Sequence, residues 1–287
     1  MSKDFSSMED SNRSANADIH SVSDPARRVW LHGGLAALAT GVLSPLLPGC
    51  STASTAAMAG KAGGPLLGFK AIPAVNTDTL VVPEGYIAEV IAAWGEPIGV
   101  AGNMPAFKMD GSNSAADQAV QMGMHHDGIH FYPLDASRRG LLAMNHEYTD
   151  DGLLHPDGMK TWSAEKVKKS QAAHGVAVIE VEQKDGRWQM VRPSRYARRH
   201  TAATPFSLQG PAAGHALMKT AADPAGRTVL GTLNNCASGI TPWGTYLSGE
   251  ENFAFYFDAG DNPDAHQKRW GARKTGFYRW PEHDERF

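Results

Sequence analysis

Residues 176–191 read Val-Ala-Val-Ile-Glu-Val-Glu-Gln-Lys-Asp-Gly-Arg-Trp-Gln-Met-Val. Apolar and polar side chains alternate over 176–182, the period of a strand with one buried face. Asp185-Gly186 follows, then a second apolar-rich run at 188–191. An Asp-Gly pair supplies the left-handed backbone of a two-residue turn, so the stretch predicts a β-hairpin.

The same signals recur on either side. Residues 129–134 and 140–145 flank a hairpin-length loop, and 79–82 and 86–94 flank Pro83-Glu84-Gly85. Residues 228–233, 245–248 and 277–280 are further strand candidates. One helix is expected, 164–173, with Ser163 as N-cap and Glu165 in the first turn. Short, locally paired strands predict an all-β meander: propeller, sandwich or barrel. No clean internal repeat selects the propeller. The last residues, Pro281 to Phe287, follow a strand candidate with nothing that reads as a closing strand, so an incomplete ring is expected.

The chain has 287 residues, 42% hydrophobic and 20% charged, enough apolar material for a sizeable core. Its formal net charge of -3 gives no polyanion-binding field, so nucleic acid is not an expected partner. Two cysteines, Cys50 and Cys236, exclude a disulfide framework.

The first residues are polar and rich in Ser, Asp and Asn. Arg27-Arg28 then precedes an apolar stretch, 33–47, too short for a span of about 20 residues. The combination looks like a twin-arginine signal, which implies the Tat machinery as a partner and an exported, periplasmic location. Leu47-Pro48-Gly49-Cys50 resembles a lipoprotein box, with Cys50 as lipid anchor; cleavage after Ala57-Met58-Ala59 is the alternative. Residues 1–59 are therefore assigned as leader and tether, and 66–287 as the folded domain.

Three clusters carry chemistry. The first is His125-His126-Asp127-Gly128-Ile129-His130. Its histidine spacing matches no common zinc motif, and Asp127 reads as an Asx-turn residue or an oxygen ligand. The second, Asn145-His146-Glu147, ends an apolar strand. At period two, Asn145 and Glu147 share a face and His146 points away. Two oxygen donors on one side suit Ca²⁺, and a solvated strand end is the plain alternative. The third is Asn234-Asn235-Cys236-Ala237-Ser238-Gly239-Ile240-Thr241-Pro242-Trp243-Gly244, followed by Glu250-Glu251. A cysteine among small polar residues reads as a loop thiol. It is either a surface thiol or a thiolate ligand, and with carboxylates nearby the mixed donor set points to iron. Adjacent glutamates on a regular strand face opposite ways, so only one of Glu250 and Glu251 need enter a site.

From about residue 66 onward these segments resemble the PhoX-type alkaline phosphatases, exported bacterial phosphomonoesterases. The likeness is carried by HDGIHFYPL, GLLAMNHEYTD and the long stretch from TPFSLQGPAAGHALMK through LNNCASGITPWGTYLSGEENF. It implies a six-bladed β-propeller, of which this chain is expected to hold only the N-terminal part. It also implies an Fe³⁺ and Ca²⁺ cluster, hydrolysis of small phosphate monoesters, and a role in phosphorus scavenging. Carried over by position, Cys236 matches the iron-ligating cysteine, and Glu147 with Glu250 or Glu251 or both match cluster carboxylates. Asp127 and Asn145 are further candidates. The alternative implied by the missing length is a non-catalytic or calcium-binding propeller fragment.

Overall fold

The computed structural model describes residues 69–274 and 276–287. The assigned leader, Arg27-Arg28 and Cys50 all lie outside the described residues. Among the described residues, no helix is long and apolar enough to cross a membrane. The chain divides into two units, Met1–Tyr86 and Ile87–Phe287.

The described part of the first unit is irregular. The Tyr86 amide donates to Pro83 O at 3.0 Å across the Pro-Glu-Gly turn, and Lys70 pairs with Glu84 at 2.6 Å. Residues 79–82 form a bend and extended backbone, not a strand, and Leu80 is largely exposed. In the second unit, 87–94 is likewise no strand, with Ile87 and Val90 in solvent. The turn chemistry between these runs is present, but among the described residues no partner strand is there to bury their apolar side chains.

The second unit is built mainly of antiparallel strands. A five-stranded sheet contains β1 (His126–Asp135), β2 (Arg139–His146), β3 (Gly175–Lys184), β4 (Arg187–Met190) and β5 (Arg198–His200). Its order is β1-β2-β3-β4, with β5 also paired to β3. Two smaller sheets follow: β6 (Thr204–Ser207) with β7 (Thr228–Gly231), and β8 (Asn235–Ile240) with β9 (Tyr246–Glu250). The hairpin of residues 176–191 forms as expected, with Asp185 at φ 52° and Gly186 at φ 79° in its turn.

Position in the sheet changes the reading of β3. It is buried almost continuously from Gly175 to Val181 because it has neighbours on both edges and cover on both faces. Ile179 and Val181 pack with Met122, Met144 and Met190 in the main core. Glu180 points the other way but is also buried, and it is neutralised there: Arg139 Nε donates to it at 2.6 Å and Ser194 Oγ at 2.5 Å. Burial pushes this carboxyl upward, but the two donors and the Arg139 charge outweigh it, and its pKa is lowered.

The expected helix runs Ala164–Ala173. Ser163 Oγ accepts the Lys166 amide at 3.3 Å, satisfying an otherwise unpaired donor of the first turn. Val167 on this helix joins Leu233, Tyr256, Tyr278 and Trp280 in a second core cluster. Residues 277–280, expected as a strand, instead lead into a 3₁₀ turn at Trp280–Glu282. Pro281 has no amide hydrogen for a ladder, and Trp280 is fully buried, its indole N–H donating to Ser170 Oγ at 3.1 Å.

Candidate metal centre

The centre assembles where three strand ends meet. Asp127 is the second residue of β1, beside a break in register between His126 and Ile129. Glu147 follows the last residue of β2, and its amide donates to His125 O at 3.0 Å, which holds it opposite the start of β1. Both positions come from one hairpin, so local pairing alone brings the two carboxylates near each other.

Cys236 arrives from 89 residues further along. It is on a strand, not in a loop: second in β8, where an irregularity between Asn235 and Ser238 re-aims the side chains. One ligand atom each from Asp127, Glu147 and Cys236 lie within 4.8 Å of one another, and all three residues are half-buried.

Asn145 explains how β8 is held on the first sheet. It is fully buried, and its Nδ2 donates to Cys236 O at 2.8 Å and Ala237 O at 3.3 Å. Its Oδ1 lies 2.9 Å from both Ser248 Oγ and Tyr246 OH, so its lone pairs are engaged by hydroxyls and not free for a cation. Asn145, expected as an oxygen ligand, is thus placed as the clamp that positions the Cys236 peptide. Gly128 allows the same approach: a Cβ there would sit 2.5 Å from Ser238 and 2.9 Å from Cys236 O. Tyr246 closes the arrangement, with its OH also 2.7 Å from Gly128 O.

The two adjacent glutamates part company. Glu250 Oε1 accepts from Thr232 Oγ1 at 2.6 Å and from the Leu233 amide at 3.0 Å, so it serves the β7–β8 connection. The Glu251 amide donates to Asn234 O at 3.0 Å, and its charge reaches both Glu147 and Cys236. Of the pair, Glu251 borders the centre. The histidines of the first cluster are scattered: His125 stacks on Tyr148 at 3.8 Å, His126 meets the edge of His146 at 4.8 Å, and His130 packs on Tyr132.

The electrostatics are those that a bound cation would relieve. The Cys236 thiol is pushed up to about 12, first by its hydrogen bond to Asp127, then by desolvation and the charges of Asp127, Glu251 and Glu147. Desolvation, then Asp127 and Glu251, also raise Glu147. Like charges this close oppose ionisation, and a multivalent cation reverses that sign, making thiolate and carboxylates the favoured forms. A thiolate with carboxylates fits a metal that takes both soft and hard donors. Tyr246 and Ser248, the hydroxyls behind the clamp, carry no local sequence signal; only their pairing across to β2 reveals them.

The family model described as "Alkaline phosphatase PhoX" matches residues 67–287. Among solved structures, the chain is similar to one titled Pseudomonas fluorescens PhoX in complex with vanadate, a transition state analogue. The two share 46% sequence identity with a TM-score of 0.72, over 78% of this chain and 39% of that one. This chain therefore spans well under half the length of that relative. No match is found among curated proteins.

Proposed function

The chain belongs to the PhoX alkaline phosphatase family, and from that premise we propose that it carries part of the cation-binding core of an enzyme hydrolysing phosphate monoesters. The observation that supports this most is the convergence of Asp127, Glu147 and Cys236 within 4.8 Å. The relative's complex with vanadate, described as a transition state analogue, agrees with it.

Fe³⁺ and Ca²⁺ are the proposed metals, with Cys236 as thiolate ligand and Asp127, Glu147 and Glu251 as the carboxylates at hand. Bound there, the cations supply concentrated positive charge against the phosphoryl oxygens. The chain's own residues set the stage for that charge. Cys236 would give up its Sγ proton on binding a cation, with the Asp127 and Glu147 carboxylates beside it to receive the proton. The thiolate acts as ligand and not as nucleophile, because Ala237 to Pro242 offer no arginine to a phosphate held there. Asn145 and Tyr246 keep the Cys236 peptide in place throughout.

The same reading assigns the antiparallel sheets to a six-bladed β-propeller. It assigns residues 1–59 to twin-arginine export with a lipid anchor at Cys50, and the role to phosphorus scavenging outside the cytoplasm. Hydrolysis of p-nitrophenyl phosphate at alkaline pH with iron and calcium present, lost on chelation and in Cys236→Ala, is the expected result. Full activity in Cys236→Ala would sink the reading. A second reading from the same cluster of donors is a chain that binds cations without turnover. It predicts metal bound in proportion to Cys236 with no phosphate released.

A further inference from the structure

A cavity of about 260 Å³ opens beside the metal centre, and Glu147 belongs to both. Its other walls are mostly aromatic, with Asn234 and Asn252 between the rings. Tyr256 and Tyr278 stack at 4.5 Å with planes 10° apart, and both are buried. Their hydroxyls are engaged by protein groups. Tyr256 OH meets His174 Nε2 at 3.0 Å, and Tyr278 OH receives the Thr149 amide at 2.9 Å. Phe255 and Phe277 lie at 6.0 Å from each other, tilted by 44°, and remain 48% and 73% exposed. Asn234 ties the aromatic wall to the acidic one, its Nδ2 donating to Glu147 O at 3.3 Å.

The arrangement is asymmetric: Glu147 is the charged wall, facing the candidate cations, and ring surface makes up most of the remainder. A cavity of about 150 Å³ lined by apolar groups accommodates a benzene ring. The larger space here fits one planar ring or a fused pair. The exposed rings of Phe255 and Phe277 offer stacking partners for a planar group. Continuity through Glu147 fixes which end of a ligand lies where: phosphate toward Asp127 and Cys236, organic group toward Phe255 and Phe277.

We propose that this cavity receives the organic group of the ester and favours planar rings, so that aryl phosphates and nucleoside monophosphates are preferred over small polyol phosphates. The proposal rests on the phosphatase reading for the phosphate end, while the cavity itself binds an uncharged ring without any metal.

Adenosine, which carries no phosphate, is the probe that separates the two. Titrated calorimetrically into the full chain in the presence of a chelator, it binds, and glycerol does not. Phe277→Ala, at a position 73% exposed and so tolerant of truncation, weakens adenosine roughly tenfold. In metal-loaded protein the same variant lowers the ratio of kcat/KM for phenyl phosphate over glycerol 2-phosphate roughly tenfold, through KM. Absence of adenosine binding, or equal binding by wild type and Phe277→Ala, overturns the cavity proposal even where hydrolysis persists. Phe277-dependent adenosine binding in a chain that releases no phosphate upholds the cavity and overturns the phosphatase reading instead.

Discussion

Replacing Asn145 by alanine should unfasten β8 from the first sheet and cost the candidate metal centre its cysteine. The side chain is fully buried and engages the carbonyls of Cys236 and Ala237 and the hydroxyls of Ser248 and Tyr246. Alanine leaves the Cys236 carbonyl without this donor and the Ser248 proton without this acceptor. Tyr246 keeps Gly128 O, and Ser248 still receives Asn235 Nδ2 at 2.9 Å. Cys236 is half-buried and Ser248 exposed, so water takes up part of the loss, and removing these hydrogen bonds from a buried amide gives a destabilisation of about 2 kcal/mol. Urea denaturation would read this as a lower midpoint at unchanged slope. Ser248→Ala alone removes one of these contacts and costs about 1 kcal/mol, and the double variant should fall short of the sum because the two share a hydrogen bond. Cation affinity should drop by about 10- to 100-fold in Asn145→Ala, as when an outer partner of a ligand is lost. A loss below about 1 kcal/mol together with unchanged cation affinity would refute the clamp.

Gly128→Ala should also harm the centre, because the new Cβ would meet Ser238 at 2.5 Å and push β8, with Cys236, away from Asp127. Overpacking of this kind costs about 1–3 kcal/mol, and calorimetric cation titration should weaken, whereas Gly239→Ala, with open space around it, should do neither. His174 makes acid stability testable. Burial, opposed by its hydrogen bond to Ser170 O, lowers it from 6.5 to about 4. The unfolded chain takes up this proton first, so the contribution is complete above pH 6.5 and is lost as pH falls toward 4, about 3 kcal/mol in all. Urea midpoints across that range should fall more steeply in wild type than in His174→Gln, and parallel curves would contradict the assignment.

The hairpin of residues 176–191, the β1–β2 pair and the helix Ala164–Ala173 were legible because their causes are local. Period-two alternation, an Asp-Gly turn and a serine cap act over a few residues and need no distant partner. Strands β5, β6 and β8 are three to six residues long and exist only by pairing with segments elsewhere, so no periodicity announces them. The reverse error has the same origin. Residues 79–82 and 86–94 carry strand-like side chains, yet among the described residues they find no strand to pair with.

For the site, residue chemistry offered Cys236, Glu147 and Asp127 as possible metal donors beside plainer readings, a surface thiol, a solvated strand end and an Asx turn, and the family resemblance favoured the ligand roles. It left Glu250 and Glu251 equivalent and took Asn145 for a ligand. Tertiary structure separates their contacts: Glu250 Oε1 accepts from Thr232 and Leu233, and Asn145 holds the β8–β9 sheet. Donor type is a property of each side chain and can be read one residue at a time. Which donors share a cavity depends on a contact between β2 and β8 some ninety residues apart, and only the packed chain decides it.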